Sequence, residues 1–124
     1  MPVRGVRGAT VVLTDSPEAI HTGTSELLIA LLAANQGLEP NEIASIFFTV
    51  TEDLVSAYPA QAARQLGWRE VPLMCAREVP VPDGLPRCIR VLIHWNTFKS
   101  QSEICHIYLH EASKLRPDLP SRQL

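Results

Sequence analysis

Four polar side chains stand in or beside segments that otherwise read as strands, and chemistry is to be sought there first: Arg7, Glu78, Arg90 and Tyr108. Arg90 is the most demanding, because Cys88, Ile89, Val91 and Leu92 surround it in sequence. An arginine among such neighbours is costly to bury unless an anion pairs with it. Its guanidinium fork matches a carboxylate bidentately and stays charged. The chemistry these residues suggest is therefore recognition of a small anion. Each also has a plain structural reading: Arg7 as an exposed strand residue, Glu78 as a solvated loop charge, Arg90 as the partner of a carboxylate across the sheet, Tyr108 as half-buried packing. Taken singly, the plain reading is better for Glu78 and Tyr108 and balanced for Arg7. Only Arg90 leans towards function.

Other chemistries lack their residues. Ser16, Ser45 and Ser56 have no G-x-S-x-G context, and Gly5-x-x-Gly8 is too short for a nucleotide fingerprint. His21, His94, His106 and His110 lack the HExxH spacing. His106 and His110 lie four apart, but in a strand-like segment, so no metal site is expected. Cys75, Cys88 and Cys105 form no CxxC pair and cannot all pair internally. A reducing cytoplasm is the expected compartment, with Cys75 and Cys88 acting as small core hydrophobes. Met74 and Trp95 are expected to pack as well. The net charge of −2 creates no global basic field, which argues against bulk nucleic-acid binding. No apolar run approaches the ~20 residues that cross a bilayer, and the first residues lack the apolar core of a signal peptide.

The elements that must position these groups come from periodicity. With 124 residues, 46% apolar and 19% charged, the chain reads as one ordered domain over 1–124. Residues 116–124 are a candidate mobile tail. Val3 to Leu13 reads as a strand whose Gly5 and Gly8 mark a bulge or a close backbone approach. Asp15-Ser16-Pro17-Glu18 opens a long helix, capped at Asp15, with Ile20, Leu27, Leu28, Leu31 and Leu32 on one face and Gly37 closing it. Ile43 to Thr51 reads as a strand buried on both faces. Tyr58-Pro59-Ala60 begins a short helix that Gly67 ends. Trp68–Cys75, Arg87–Trp95 and Ile104–Leu109 read as further strands, and Glu111–Leu115 as one turn of helix ended by Arg116-Pro117. The result is an α+β, two-layer sandwich: a mixed five-stranded sheet with helices on one face. The other face keeps apolar residues with no helix left to cover it, so an oligomer is expected.

Taken together, several fragments resemble the trimeric chorismate mutases of the AroH class. They are Val3-Arg-Gly-Val-Arg-Gly-Ala-Thr10, Thr51-Glu52-Asp53-Leu54, Tyr58-Pro59-Ala60 with Ala63-Arg64, Val71-Pro72 and Glu78-Val79-Pro80-Val81-Pro82. The series continues with Arg87-Cys88-Ile89-Arg90-Val91, Trp95-Asn96-Thr97, His106-Ile107-Tyr108-Leu109 and Leu115-Arg116-Pro117-Asp118-Leu119. No one fragment is diagnostic; their order and spacing are.

The resemblance implies a homotrimer closing into a pseudo α/β barrel, with active sites at subunit interfaces. It implies conversion of chorismate to prephenate by an intramolecular Claisen rearrangement, without cofactor. Residue by residue, it implies Arg90 at the ether oxygen and a carboxylate, Arg7 at a carboxylate with Tyr108 nearby, and Glu78 accepting from the ring hydroxyl with the help of Cys75. Tyr58, Ala60 and Arg64 would come from the adjacent subunit, Leu73, Met74 and Leu115 would form apolar wall, and Arg116 would close over the ligand. Three positions depart from the commoner pattern: Gln61 stands where some relatives carry a charge, Met74 replaces a smaller residue, and Tyr58 replaces phenylalanine. Two competing readings are a trimeric small-molecule deaminase and a non-catalytic dicarboxylate-binding module of similar fold.

Overall fold

Alternation along the strands decides which way each side chain faces. The computed structural model describes residues 1–117. It contains β1 (Val3–Val11), α1 (Pro17–Ala34), β2 (Ile43–Val50), α2 (Ala60–Gln65), β3 (Leu73–Arg77), β4 (Cys88–Asn96) and β5 (Ile107–Tyr108). Short 3-10 turns lie at Pro40–Glu42, Gln101–Glu103 and His110–Leu115. The five strands form one sheet in the order β3-β2-β4-β1-β5. β4 runs antiparallel to both β1 and β2, while β2–β3 and β1–β5 are parallel pairs. The mixed α+β sheet expected from the sequence is present.

One sheet face packs on the helices. Val6, Ile46, Phe48, Val91, Ile93 and Trp95 are buried against Leu27, Leu28 and Leu31 of α1 and Ala60 and Ala63 of α2. Gly8 permits this approach: a Cβ there would lie 3.0 Å from Leu31 Cδ1 and 3.2 Å from the Ile107 carbonyl. The backbone oxygen cannot yield, so β1 needs glycine where helix and β5 converge. Close approach, not a bulge, explains this glycine, since β1 pairs with β4 in unbroken register from Val3 to Val11. The irregularity lies in β2, between Ile43 and Ser45.

The other face is largely open. β2 alternates buried Ile46, Phe48 and Val50 with exposed Phe47 and half-buried Thr49, so it is buried on one face only, not on both as its apolar run suggested. Phe47 and its parallel neighbour Met74 are 43% and 62% exposed. Towards the β1–β5 edge this face is covered by the turn His110–Leu115 and by Leu85, where Ala112 packs with Ala9, Cys88 and Tyr108.

Most boundaries fall within two residues of the sequence reading, and three of the differences have a clear physical reason. The cap of α1 is Ser16, whose Oγ accepts from Ala19 N at 3.1 Å. Asp15 is drawn away, its Oδ1 accepting from Val55 N and Ser56 N, both at 3.1 Å. The third strand starts at Leu73, not Trp68. Gly67 turns the chain at φ 94°, Trp68 is sequestered in the core, and Pro72 has no N–H for a ladder. The fifth strand has two residues instead of the expected Ile104–Leu109. Upstream, the buried Asn35 carboxamide takes both backbone groups of Cys105, donating to its carbonyl at 2.9 Å and accepting from its N–H at 2.8 Å. The His106 ring then takes Arg7 N, so pairing with β1 begins at Ile107 and ends with the Leu109 N–H donating to the Ala9 carbonyl at 2.9 Å. Residues 118–124, most of the expected mobile tail, lie outside the described residues. Among the described residues no helix is long and apolar enough to cross a membrane.

Candidate active site

The register brings the singled-out groups onto the open face. Thr49 of β2 lies directly opposite Arg90 of β4, which lies opposite Ala9 of β1, itself paired with Tyr108 of β5. Arg7 is one step further along the same face, opposite Leu92. Glu78 follows β3 immediately, and its N–H continues the ladder to the Val50 carbonyl at 2.9 Å.

Glu78 Oε2 approaches Arg90 Nε at 3.2 Å, with the two side chains 24% and 34% exposed. The contact is within ion-pair range, yet it is not an aligned hydrogen bond: Arg90 Nε remains without one. The Tyr108 hydroxyl is likewise buried with no partner among the described residues. Buried donors are normally satisfied, and among the described residues these two, on one sheet face, are not. Beside them a cleft of ≈ 400 Å³ is lined by Glu78, Arg90, Thr51, Asp53, Val79 and Leu85, among others. Leu115 packs next to Tyr108, against the same small cluster as Cys88. Burial pushes the Cys88 thiol up, and the neighbouring Arg90 only partly opposes this, so it stays protonated at neutral pH.

Arg7 is exposed, and its backbone N–H donates to His106 Nδ1 at 2.9 Å. His106 therefore accepts at Nδ1 and carries its proton at Nε2 when neutral. Burial, then the positive charges of Arg116 and Arg7, hold its pKa below the usual 6.5. Arg116 thus bears on the same corner as Arg7. The sign for stability follows: the unfolded chain binds this proton first, so the contribution is complete above about pH 6.5 and is lost as pH falls through the lowered folded value. Urea unfolding at pH 7 and pH 5 is expected to show lower stability at pH 5, with the difference reduced in His106→Gln. An equal difference in both proteins would refute the assignment.

The remaining residues form a second group around β3 and α2. A cleft of ≈ 630 Å³ is lined by Tyr58, Pro59, Gln61, Cys75, Ala76 and Arg77, among others. Tyr58 is 70% exposed and Arg64 is exposed, whereas Ala60 is packed in the core. Leu73 and Cys75 are half-buried against that core, and Met74 points to the open face. Arg77 Nη1 holds the loop before Tyr58 by donating to the carbonyls of Thr51 and Leu54, at 2.9 and 3.0 Å. One cleft holds Arg90 and Glu78, the other Tyr58 and Cys75.

Two contributors escaped the sequence reading. Thr49, whose Oγ1 donates to Glu78 Oε2 at 3.1 Å, sits in a run where threonine reads only as a strand former. His106 stands out in the sequence only by its spacing from His110, and it is the β1–β5 pairing that reveals its bond to Arg7.

Residues 3–119 match the family model of chorismate mutase type I. The chain belongs to that family. It is 59% identical to chorismate mutase AroH of Thermus thermophilus, over 98% of this chain and 99% of that one. Against chorismate mutase AroH of Bacillus subtilis (strain 168) the identity is 40%, over 96% and 94%. A solved chorismate mutase from Clostridium thermocellum superposes with a TM-score of 0.86 at 45% identity, covering 89% of this chain and 97% of that one. The fold is that of a type I chorismate mutase, and chorismate mutase is the activity of the family.

Proposed function

We propose that this chain converts chorismate to prephenate, an isomerisation in phenylalanine and tyrosine biosynthesis, as a cytoplasmic homotrimer with its sites between subunits. The observation that supports this reading, beyond family membership, is the half-buried Arg90, whose Nε makes no aligned hydrogen bond, together with the Tyr108 hydroxyl, which has no partner among the described residues. The reaction breaks one ether C–O bond while a C–C bond forms across the same molecule, through a chair-like transition state. It moves no proton. What it asks of a protein is compact binding of a flexible dianion and a positive donor where charge grows on the ether oxygen.

In this reading Arg90 donates to the ether oxygen and one carboxylate, and Arg7 anchors a carboxylate with the Tyr108 hydroxyl beside it. Glu78 accepts the ring hydroxyl, with the Cys75 backbone amide assisting. Leu115, Leu73 and Met74 contribute apolar wall, and Arg116 closes over the ligand from the start of the tail. The neighbouring subunit supplies Tyr58, Arg64 and the backbone at Ala60. The exposure of Tyr58, Phe47 and Met74 supports this sharing, because a second copy would remove that apolar surface from water. The whole of 1–124 acts as one catalytic domain.

The test is direct. Purified protein, dialysed against chelator and given chorismate alone, is expected to discharge the chorismate absorbance and yield prephenate by proton NMR. Turnover at saturation is expected to vary less than about twofold from pH 6 to 9, since arginines keep their charge there. No prephenate, or a bell-shaped profile with both limbs inside that range, would overturn the proposal and favour the deaminase reading.

A further inference from the structure

We propose that Thr49 is a positioning residue for the reaction, holding Glu78 off Arg90 so that the guanidinium stays open to substrate. The proposal rests on the reading of the site given above and goes beyond it. Glu78 and Arg90 have opposite charge and lie 3.2 Å apart, and nothing in their chemistry alone prevents a closed bidentate pair. Such a pair would occupy the fork that has to meet the ether oxygen. The pair is nevertheless misaligned, with Arg90 Nε lacking a proper hydrogen bond.

The reason lies in what else holds the carboxylate. Thr49 Oγ1 donates to Oε2 at 3.1 Å, and Val79 N donates to Oε1 at 3.0 Å. Both oxygens thus have donors other than Arg90, and turning the carboxylate flat against the fork would cost those bonds. Thr49 is placed for this by the sheet itself: it is the cross-strand partner of Arg90 in β2, and β2 also pairs with β3, which delivers Glu78. The Val79 bond joins adjacent residues and would move with the chain. The hydroxyl of Thr49 comes from a fixed strand, 29 residues away in sequence. Oε1 keeps a free lone pair for the substrate's ring hydroxyl, and Arg90 keeps its outer nitrogens for the ether oxygen and a carboxylate.

Thr49→Val keeps the branched shape and the strand preference but removes the donor. Glu78 is then expected to rotate onto Arg90 and close the pair. Turnover should fall roughly tenfold at saturating chorismate, about the effect of one hydrogen bond to a charged group, while Thr49→Ser restores most of it. In a Glu78→Ala background the Thr49→Val change should cost nothing further, because the group it positions is gone. A second readout needs no substrate. In the free protein, hydrogen exchange of the Arg90 Nε–H, followed by ¹⁵N NMR, should slow several-fold in Thr49→Val and remain near wild type in Thr49→Ser. Unchanged exchange, or a turnover loss that persists in the Glu78→Ala background, would overturn the proposal. If the wild-type protein fails to convert chorismate, the functional reading falls, and the exchange measurement still decides whether Thr49 governs the ion pair.

Discussion

Arg90→Ala is expected to lower kcat by about 10²–10³-fold, the scale of one lost donor at a developing oxyanion. The loss belongs in kcat because the contact strengthens as the ether bond breaks, and only such differential binding accelerates the step. Arg90→Lys should fail as well, since a point charge cannot span ether oxygen and carboxylate in fixed geometry. Arg7→Ala, at an exposed anchor, should show more of its effect in KM. A purely structural Arg90 predicts something different: removing it would leave Glu78 as an uncompensated charge and destabilise the fold. The geometry argues against that outcome, because Glu78 keeps its bonds to Thr49 and Val79 and remains 24% exposed. Thermal unfolding and light scattering alongside the kinetics separate the two. A folded Arg90→Ala protein with near-normal turnover would rule out the electrostatic role.

Mixing two inactive variants is expected to restore activity. Arg90→Ala damages the half-site on the sheet face, and Arg64→Ala the half-site beside α2. If each site joins one half from each of two neighbours in a cyclic trimer, mixed trimers contain one site with both halves intact. Random reassembly of equal amounts should then regain about a quarter of wild-type activity. Subunits refolded separately and combined afterwards should regain almost none. Absence of recovery after co-refolding, or a stable monomer at micromolar concentration, would contradict shared sites.

How much of this was legible in the sequence depended on the range of the interaction involved. The alternation from Cys88 to Trp95 was sufficient to place Arg90 on the face opposite Ile89, Val91 and Ile93, and the structure keeps that division. The long helix was equally clear, because its face repeats over several turns. Its cap was misplaced by one residue: Asp15 and Ser16 are both good caps, and the choice was made by loop amides 40 and 41 residues away. The shortened β5 has the same kind of cause, a distant Asn35 side chain that takes Cys105 out of the ladder. The apolar run of β2 was misjudged because periodicity reports which residues prefer burial and not what covers them; Phe47 remains exposed in the single chain. Thr49 shows the limit most plainly. Its role exists only once three strands are in register, and no local pattern encodes that.

The most direct test of the central claim, that Arg90 binds the transition state and not merely a dianion, is a comparison of affinities by titration calorimetry. Wild type and Arg90→Ala would each be titrated with prephenate, which has no ether oxygen to engage, and with an oxygen-bridged bicyclic dicarboxylate that mimics the chair. The account predicts that Arg90→Ala loses about 100-fold or more in affinity for the bicyclic ether and less than about tenfold for prephenate. Equal losses for both ligands would mean that Arg90 is only an anion anchor, and would contradict the mechanism.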